Sequence, residues 1–168
     1  MGTELLGDLQ QGMPLVMEPL DLTRIGAERG GSERGGAGLL IVDIVNGFAT
    51  VGAGNLAPPV ANPQVSRMVA EADRLARSFA ARGWPIFALQ DCHVPGKAEP
   101  PYPPHCEAGT GEENLVPELQ WLEDEPHATL LRKDCINGFI GAFQSDGSNA
   151  LLDWLNHHAI TDVLAVGI

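Results

Sequence analysis

Five residues of this chain have the types and spacing to do chemistry together: Asp43, Asp91, His93, His105 and Lys133. In an extended segment, positions i and i+2 point the same way. The Asp91 carboxylate and the His93 imidazole can therefore meet one ion while Cys92 points elsewhere. His105 sits in PYPPHC, after Pro100, Pro101, Pro103 and Pro104, and a loop stiffened in this way holds a distant ligand at low entropic cost. One carboxylate with two imidazoles is a mixed hard and borderline donor set. It suits a divalent metal, zinc first with iron or manganese as alternatives, and leaves positions open for water or substrate. The competing account is two ordinary loop histidines and a strand-end cap. A cysteine-rich structural zinc site is not expected, because the chain has no CxxC pair.

Asp43 closes an apolar run, where a carboxylate serves either as a general base or as a cap for backbone donors in the turn VNGF. Lys133 either holds an anion and tunes a neighbouring acid, or forms a solvated ion pair. Taken together, the two make an acid–base pair that requires a nucleophile. Cys135 is the local candidate, but no histidine is placed beside it by sequence, and the expectation for it is a buried structural thiol. Phe48 and Tyr102 lie next to the polar candidates and can stack on a flat substrate, whereas Trp84 and Trp121 are expected in the core.

These residues need a scaffold that brings them to one place. Leu39–Val42 is a continuous apolar run of strand length, and burial on both faces points to a parallel sheet covered by helices. Asn62 offers an N-cap and Pro63 suits the first helical position. Apolar residues then recur at 65, 68, 69, 72, 75, 76 and 79 until Gly83 stops the helix. Ile86–Leu89 is the second strand, a proline-rich loop runs from Val94 to Pro117, and Ala128–Leu131 is the third strand. Ser148–His158 reads as a second amphipathic helix and Val163–Ile168 as a fourth strand. This order specifies an α/β fold with a mostly parallel sheet. Ligands of such sheets sit beyond the carboxyl ends of the strands, which is where Asp43, Asp91, His93 and Lys133 fall.

The 168 residues, 44% hydrophobic, are enough for one compact domain. Residues 1–37 carry ERGG twice, at Glu28 and Glu33. They are expected to form a flexible extension with a short strand or turn near Leu15–Met17, leaving 38–168 as the domain. With 22 acidic against 10 basic residues the net charge is -12, which disfavours nucleic acid and anionic membrane surfaces as partners. No apolar run reaches the roughly 20 residues that cross a bilayer. Three scattered cysteines without a leader-like segment are expected to be reduced thiols in the cytoplasm, with the nucleus as a further compartment.

Asp43 in VDIVNGF, the Asp91-x-His93 pair, PYPPHCEAGTGEENLVPEL and LLRKDCINGF occur in an order that resembles the nicotinamidases of the isochorismatase-like cysteine hydrolases. The wording is nearest to the plant-type branch, from about Leu39 to Ile168. The resemblance implies a Rossmann-like three-layer αβα fold and hydrolysis of nicotinamide to nicotinate and ammonia in NAD salvage, by a homo-oligomer when full length. By motif, Asp43 would be the proton acceptor and Lys133 its charged partner. Asp91, His93 and His105 would ligate the metal that holds the pyridine nitrogen, with Glu99 as a further group near it. Phe48 matches a ring-packing position, and Tyr102 stands where many members have Trp.

Two departures accompany the resemblance. Val45 replaces a Gln that many members carry. The family's last strand here leads into GI-x-T-D-x-C, whose Cys is the nucleophile, whereas this chain closes on DVLAVGI. The implied expectations are a catalytic Cys and further C-terminal strands beyond this chain, no amidase activity from this stretch alone, and Val163–Ile168 left as an apolar edge. Two alternatives stand beside this one. The chain is another isochorismatase-like hydrolase, such as an isochorismatase or a carbamoyl hydrolase, or it is a non-catalytic form that binds ligand or pairs with intact subunits.

Overall fold

The computed structural model describes residues 36–97 and 99–168. The extension and its strand or turn near Leu15–Met17 fall outside these residues, apart from Gly36 and Ala37. Ala37 opens the first strand, β1 (Ala37–Val42), and is buried there.

The elements follow in the order β1, α1 (Asn46–Ala49), α2 (Pro63–Ala80), β2 (Ile86–Asp91), a 3₁₀ segment (Pro117–Asp124), β3 (Ala128–Lys133), α3 (Gly138–Gly141), α4 (Ala150–His157) and β4 (Asp162–Gly167). The four strands form one sheet in the order β3-β2-β1-β4, and every pairing is parallel. Register runs Leu39 to Ile86 between β1 and β2, and Ile86 to Ala128 between β2 and β3. The carboxyl ends of all three strands therefore reach the same rim.

Both faces of the sheet are covered, which is why the strand sequences are apolar without alternation. Successive side chains leave a strand on opposite sides. Leu39, Ile41, Ile86 and Ala88 pack with Val69, Ala72, Leu75, Ala76 and Phe79 of α2 and Leu119 and Leu122 of the 3₁₀ segment. Phe87 and Leu89 face the other way, onto Trp154 of α4. Three layers result.

Helix α2 begins as its sequence dictates, with Pro63 in the first turn and Asn62 Oδ1 accepting from the Gln64 N–H at 2.9 Å. Its outer face carries the Glu71–Arg74 and Asp73–Arg77 pairs. Helix α4 starts at Ala150, after Asn149 rather than Ser148, because the Asn149 side chain accepts from the Leu151 and Leu152 N–H groups. The short α1, the 3₁₀ segment and α3 were not expected from periodicity. Each is too short to show one. Strand β4 pairs with β1 only, and Val163 is 47% exposed on it.

Candidate active site and metal centre

At the rim, Asp43 follows β1 in a left-handed conformation with φ 55°. Among the described residues, three that are not glycine have positive φ. Ala159 terminates α4, where such a residue is common, but Asp43 and Cys106 flank the polar cluster. A side chain held there costs of order 1–3 kcal/mol, a strain that concentrates at functional positions.

Lys133, the last residue of β3, places its ammonium 2.9 Å from Asp43 Oδ2 and 2.9 Å from Asp91 Oδ1. All three residues are buried. Gly141 lets α3 close over this lysine, since a Cβ there would stand 2.6 Å from Lys133 Cβ. Burial alone would lower the Lys133 pKa. The hydrogen bonds and charge of Asp91 and Asp43 outweigh it and hold the ammonium above the ordinary lysine value. Asp43 moves up from the usual carboxylate range because burial outweighs the attraction of Lys133. Asp43 Oδ1 is buried and has no hydrogen-bond partner, so one oxygen holds the lysine and the other is open to a proton.

The second oxygen of Asp91 turns toward two imidazoles. Its Oδ2 lies 2.9 Å from His93 Nε2 and 3.2 Å from His105 Nε2, and the two Nε2 atoms are 3.1 Å apart. Glu99 Oε2 completes the convergence at 3.3 Å from His93 Nε2 and 3.6 Å from His105 Nε2. The opposite ring nitrogens are engaged by acceptors: His93 Nδ1 by Asp134 Oδ1 at 2.8 Å, and His105 Nδ1 by the Pro103 carbonyl at 2.7 Å. Neither acceptor has a proton to give, since lysine and imidazole contacts hold the Asp134 carboxyl below its usual range. Both Nδ1 atoms must donate, which leaves each Nε2 as a lone pair aimed at carboxylate oxygens.

Four acceptor atoms pointing at one another without a donor call for a positive charge. A proton can supply it on His93. Burial works against that proton, but Asp134, Asp91 and Glu99 prevail and hold His93 above the ordinary histidine value. A divalent ion is the other source of that charge, and Asp91, His93 and His105 have the donor types and proximity to ligate one. The buried, unpartnered Glu99 Oε2 fits the same need.

Phe48 and Tyr102 both neighbour His105, with ring centroids 5.7 and 6.0 Å from its own. Tyr102 is 45% exposed. Gly47, just before Phe48, admits the loop beneath it, because a Cβ there would meet Cys106 Sγ at 2.6 Å. Val45, where a polar substrate contact was in question, is fully buried and bridges to Leu115. Cys135 corrects an expectation. It is half-buried rather than buried, its Sγ donating to the Asn137 carbonyl at 3.3 Å, because the chain turns outward after Lys133.

Sequence reasoning missed Asp134, whose partner His93 is 41 residues away. It also missed Glu113, which accepts from the Gly109 and Gly111 N–H groups at 2.8 Å each and so pins the loop after His105. Only the position of Asp134 directly after Lys133 hinted at a role.

Nicotinamidase 1 of Arabidopsis thaliana is 56% identical over 131 residues, which cover 78% of this chain and 54% of that protein. The chain thus spans about half the length of this curated relative. N-carbamoylsarcosine amidase from Thermoplasma acidophilum superposes with a TM-score of 0.58 at 23% identity, over 78% of this chain and 66% of that one. The pyrazinamidase of Pyrococcus horikoshii, solved in complex with zinc, gives 0.57 at 20%, over 79% and 70%. Two amidases with different substrates share this α/β architecture, so the fold alone does not select the substrate. The isochorismatase domain profile matches residues 37–168, and with nearly every described residue inside that match, the chain belongs to the isochorismatase family.

Proposed function

We propose that this chain carries the acid–base and metal-holding parts of a nicotinamidase, which hydrolyses nicotinamide to nicotinate and ammonia in NAD salvage. The identity to Nicotinamidase 1 over 131 residues supports the substrate. The observation that carries the chemistry is the division of labour on Asp43, with Oδ2 held by Lys133 and Oδ1 buried and free.

In this reading, Asp43 Oδ1 takes the proton of a cysteine thiol supplied by the segment that follows β4 in the family motif. The thiolate sulfur bonds to the amide carbon, and the carbon–nitrogen bond breaks as the nitrogen receives the proton from Asp43 and leaves as ammonia. Water then cleaves the thioester, releasing nicotinate and restoring the thiol. Lys133 keeps the Asp43 carboxylate oriented and balances its charge through the cycle. The rings of Phe48 and Tyr102 sandwich the flat substrate. Asp91, His93 and His105, with Glu99 beside them, would hold zinc, or iron or manganese in its place; a bound ion supplies a Lewis acid for the pyridine nitrogen. All three cysteines are free, and none of the described helices is long and apolar enough to cross a membrane. The proposed setting is the cytoplasm, with the nucleus as a further compartment, and the proposed assembly of the full-length protein is a homo-oligomer.

The experiment is Asp43→Asn in the full-length protein, assayed by ammonia release from nicotinamide. Loss of a general base lowers kcat by about 10²–10⁴, with KM little changed because the ring-holding groups remain. Turnover at the unsubstituted rate would overturn the assignment.

A further inference from the structure

His93 is gripped on both of its ring nitrogens. Nε2 faces Asp91 and His105, while Nδ1 lies 2.8 Å from Asp134 Oδ1. Asp134 uses its other oxygen to pair with the Lys97 ammonium, on the loop that also brings Glu99 to the cluster. The end of β3 therefore holds both members of the Asp91-x-His93 pair, Lys133 through Asp91 Oδ1 and Asp134 through His93 Nδ1.

The two imidazoles are oriented by different means. His105 donates to a backbone carbonyl, that of Pro103, which no side-chain substitution removes. His93 depends on a carboxylate, and a carboxylate behind a ligating imidazole fixes the ring and its tautomer and raises its strength as a donor. We propose that Asp134 is a positioning residue for the metal centre, holding His93 with Nε2 toward the cation, and that Lys97 in turn holds Asp134. This rests on the assignment of Asp91, His93 and His105 as metal ligands.

The Lys97–Asp134 pair is itself a poor candidate for a purely structural role. The side chains are 54% and 33% exposed, and ion pairs so exposed contribute little to stability. Its removal is expected to leave the fold in place and alter what His93 can bind.

The test uses the full chain stripped of metal and titrated with Zn²⁺ against a chromophoric chelator. The set is the unsubstituted protein, Asp134→Ala, Asp134→Asn, Lys97→Ala and His93→Ala. Visible spectra of the Co²⁺ forms and melting of the metal-free proteins accompany the titration. Expected is a Zn²⁺ Kd raised about 10–100-fold in Asp134→Ala and less in Asp134→Asn, whose amide oxygen still accepts a neutral hydrogen bond. Lys97→Ala should show the smallest rise. The Co²⁺ bands shift in the Asp134 variants while metal-free melting stays near that of the parent. Should Asp134→Ala fail to fold, Asp134→Asn decides the question. Unchanged Zn²⁺ affinity and Co²⁺ spectra in the Asp134 variants, with affinity lost in His93→Ala, overturn the positioning role and leave the ligand set standing. Unchanged affinity in His93→Ala overturns both.

Discussion

Two polar clusters share the rim of the sheet, and they are built on opposite plans. Around Lys133, charges of opposite sign meet, with the ammonium 2.9 Å from each of two carboxylates. Around His93 and His105, acceptors meet acceptors, with each imidazole Nε2 within 3.6 Å of the other and of the Asp91 and Glu99 oxygens. Both clusters are buried deeply enough that an uncompensated charge is costly. The first is compensated by a lysine of the chain itself, whereas the second needs a cation from elsewhere. The difference separates a cluster whose charges the fold balances with its own residues from one that calls for a proton or a bound ion to balance it.

The largest expected effect breaks the self-compensated half. Lys133→Met leaves two buried carboxylates facing each other, and losing one partner of a buried pair costs about 3–5 kcal/mol. Urea unfolding should show it. A cost below about 1 kcal/mol would mean that the ammonium does not hold this cluster together. Next comes the half that needs a cation. Zn²⁺ at a hundred times its Kd should stabilise the chain by about 2.7 kcal/mol, measured by melting with and without chelator, and the gain should vanish in the His93→Ala, His105→Ala double variant. A gain that survives in the double variant would place the ion elsewhere.

The smallest effect sharpens the comparison by probing a carboxylate that is satisfied in a third way, by backbone. Burial pushes Glu113 up, but the N–H groups of Gly109 and Gly111 prevail and hold it below its ordinary value of 4.5. Its folded pKa is thus depressed, and the unfolded chain binds the proton more readily. The stability it provides is complete above pH 4.5 and is lost as pH falls through the folded value. Glu113→Gln should therefore cost about 1.5 kcal/mol at neutral pH and show a flatter loss of stability on acidification. Urea melts at neutral and acidic pH would reveal both, and equal slopes in the two proteins would count against the role of Glu113 in pinning the loop.

What was legible beforehand had a local signature. The apolar runs of β1 and β2, the Asn62–Pro63 start of α2 and the polar residues that end the strands could each be read from neighbouring positions. Asp43, Asp91, His93 and Lys133 came together because a parallel sheet aligns its strand ends, and that rule needs only the element order. His105 joined them through the proline-stiffened loop. Elements one turn long did not show, nor did contacts spanning a large sequence separation. Asp134 meets His93, 41 residues away, only once the loops have packed, and Glu113 closes on glycines two and four residues before it through a loop conformation that no periodicity marks. Cys135 was misjudged for a related reason, since its exposure depends on the Asn137-capped turn into α3 rather than on the apolar strand before it.

Asp91 serves both clusters, one oxygen to each. The energies of the two clusters therefore cannot be independent. Substitutions on the two sides of that shared carboxylate, His93→Ala and Lys133→Met, are therefore expected to be non-additive in their effect on stability.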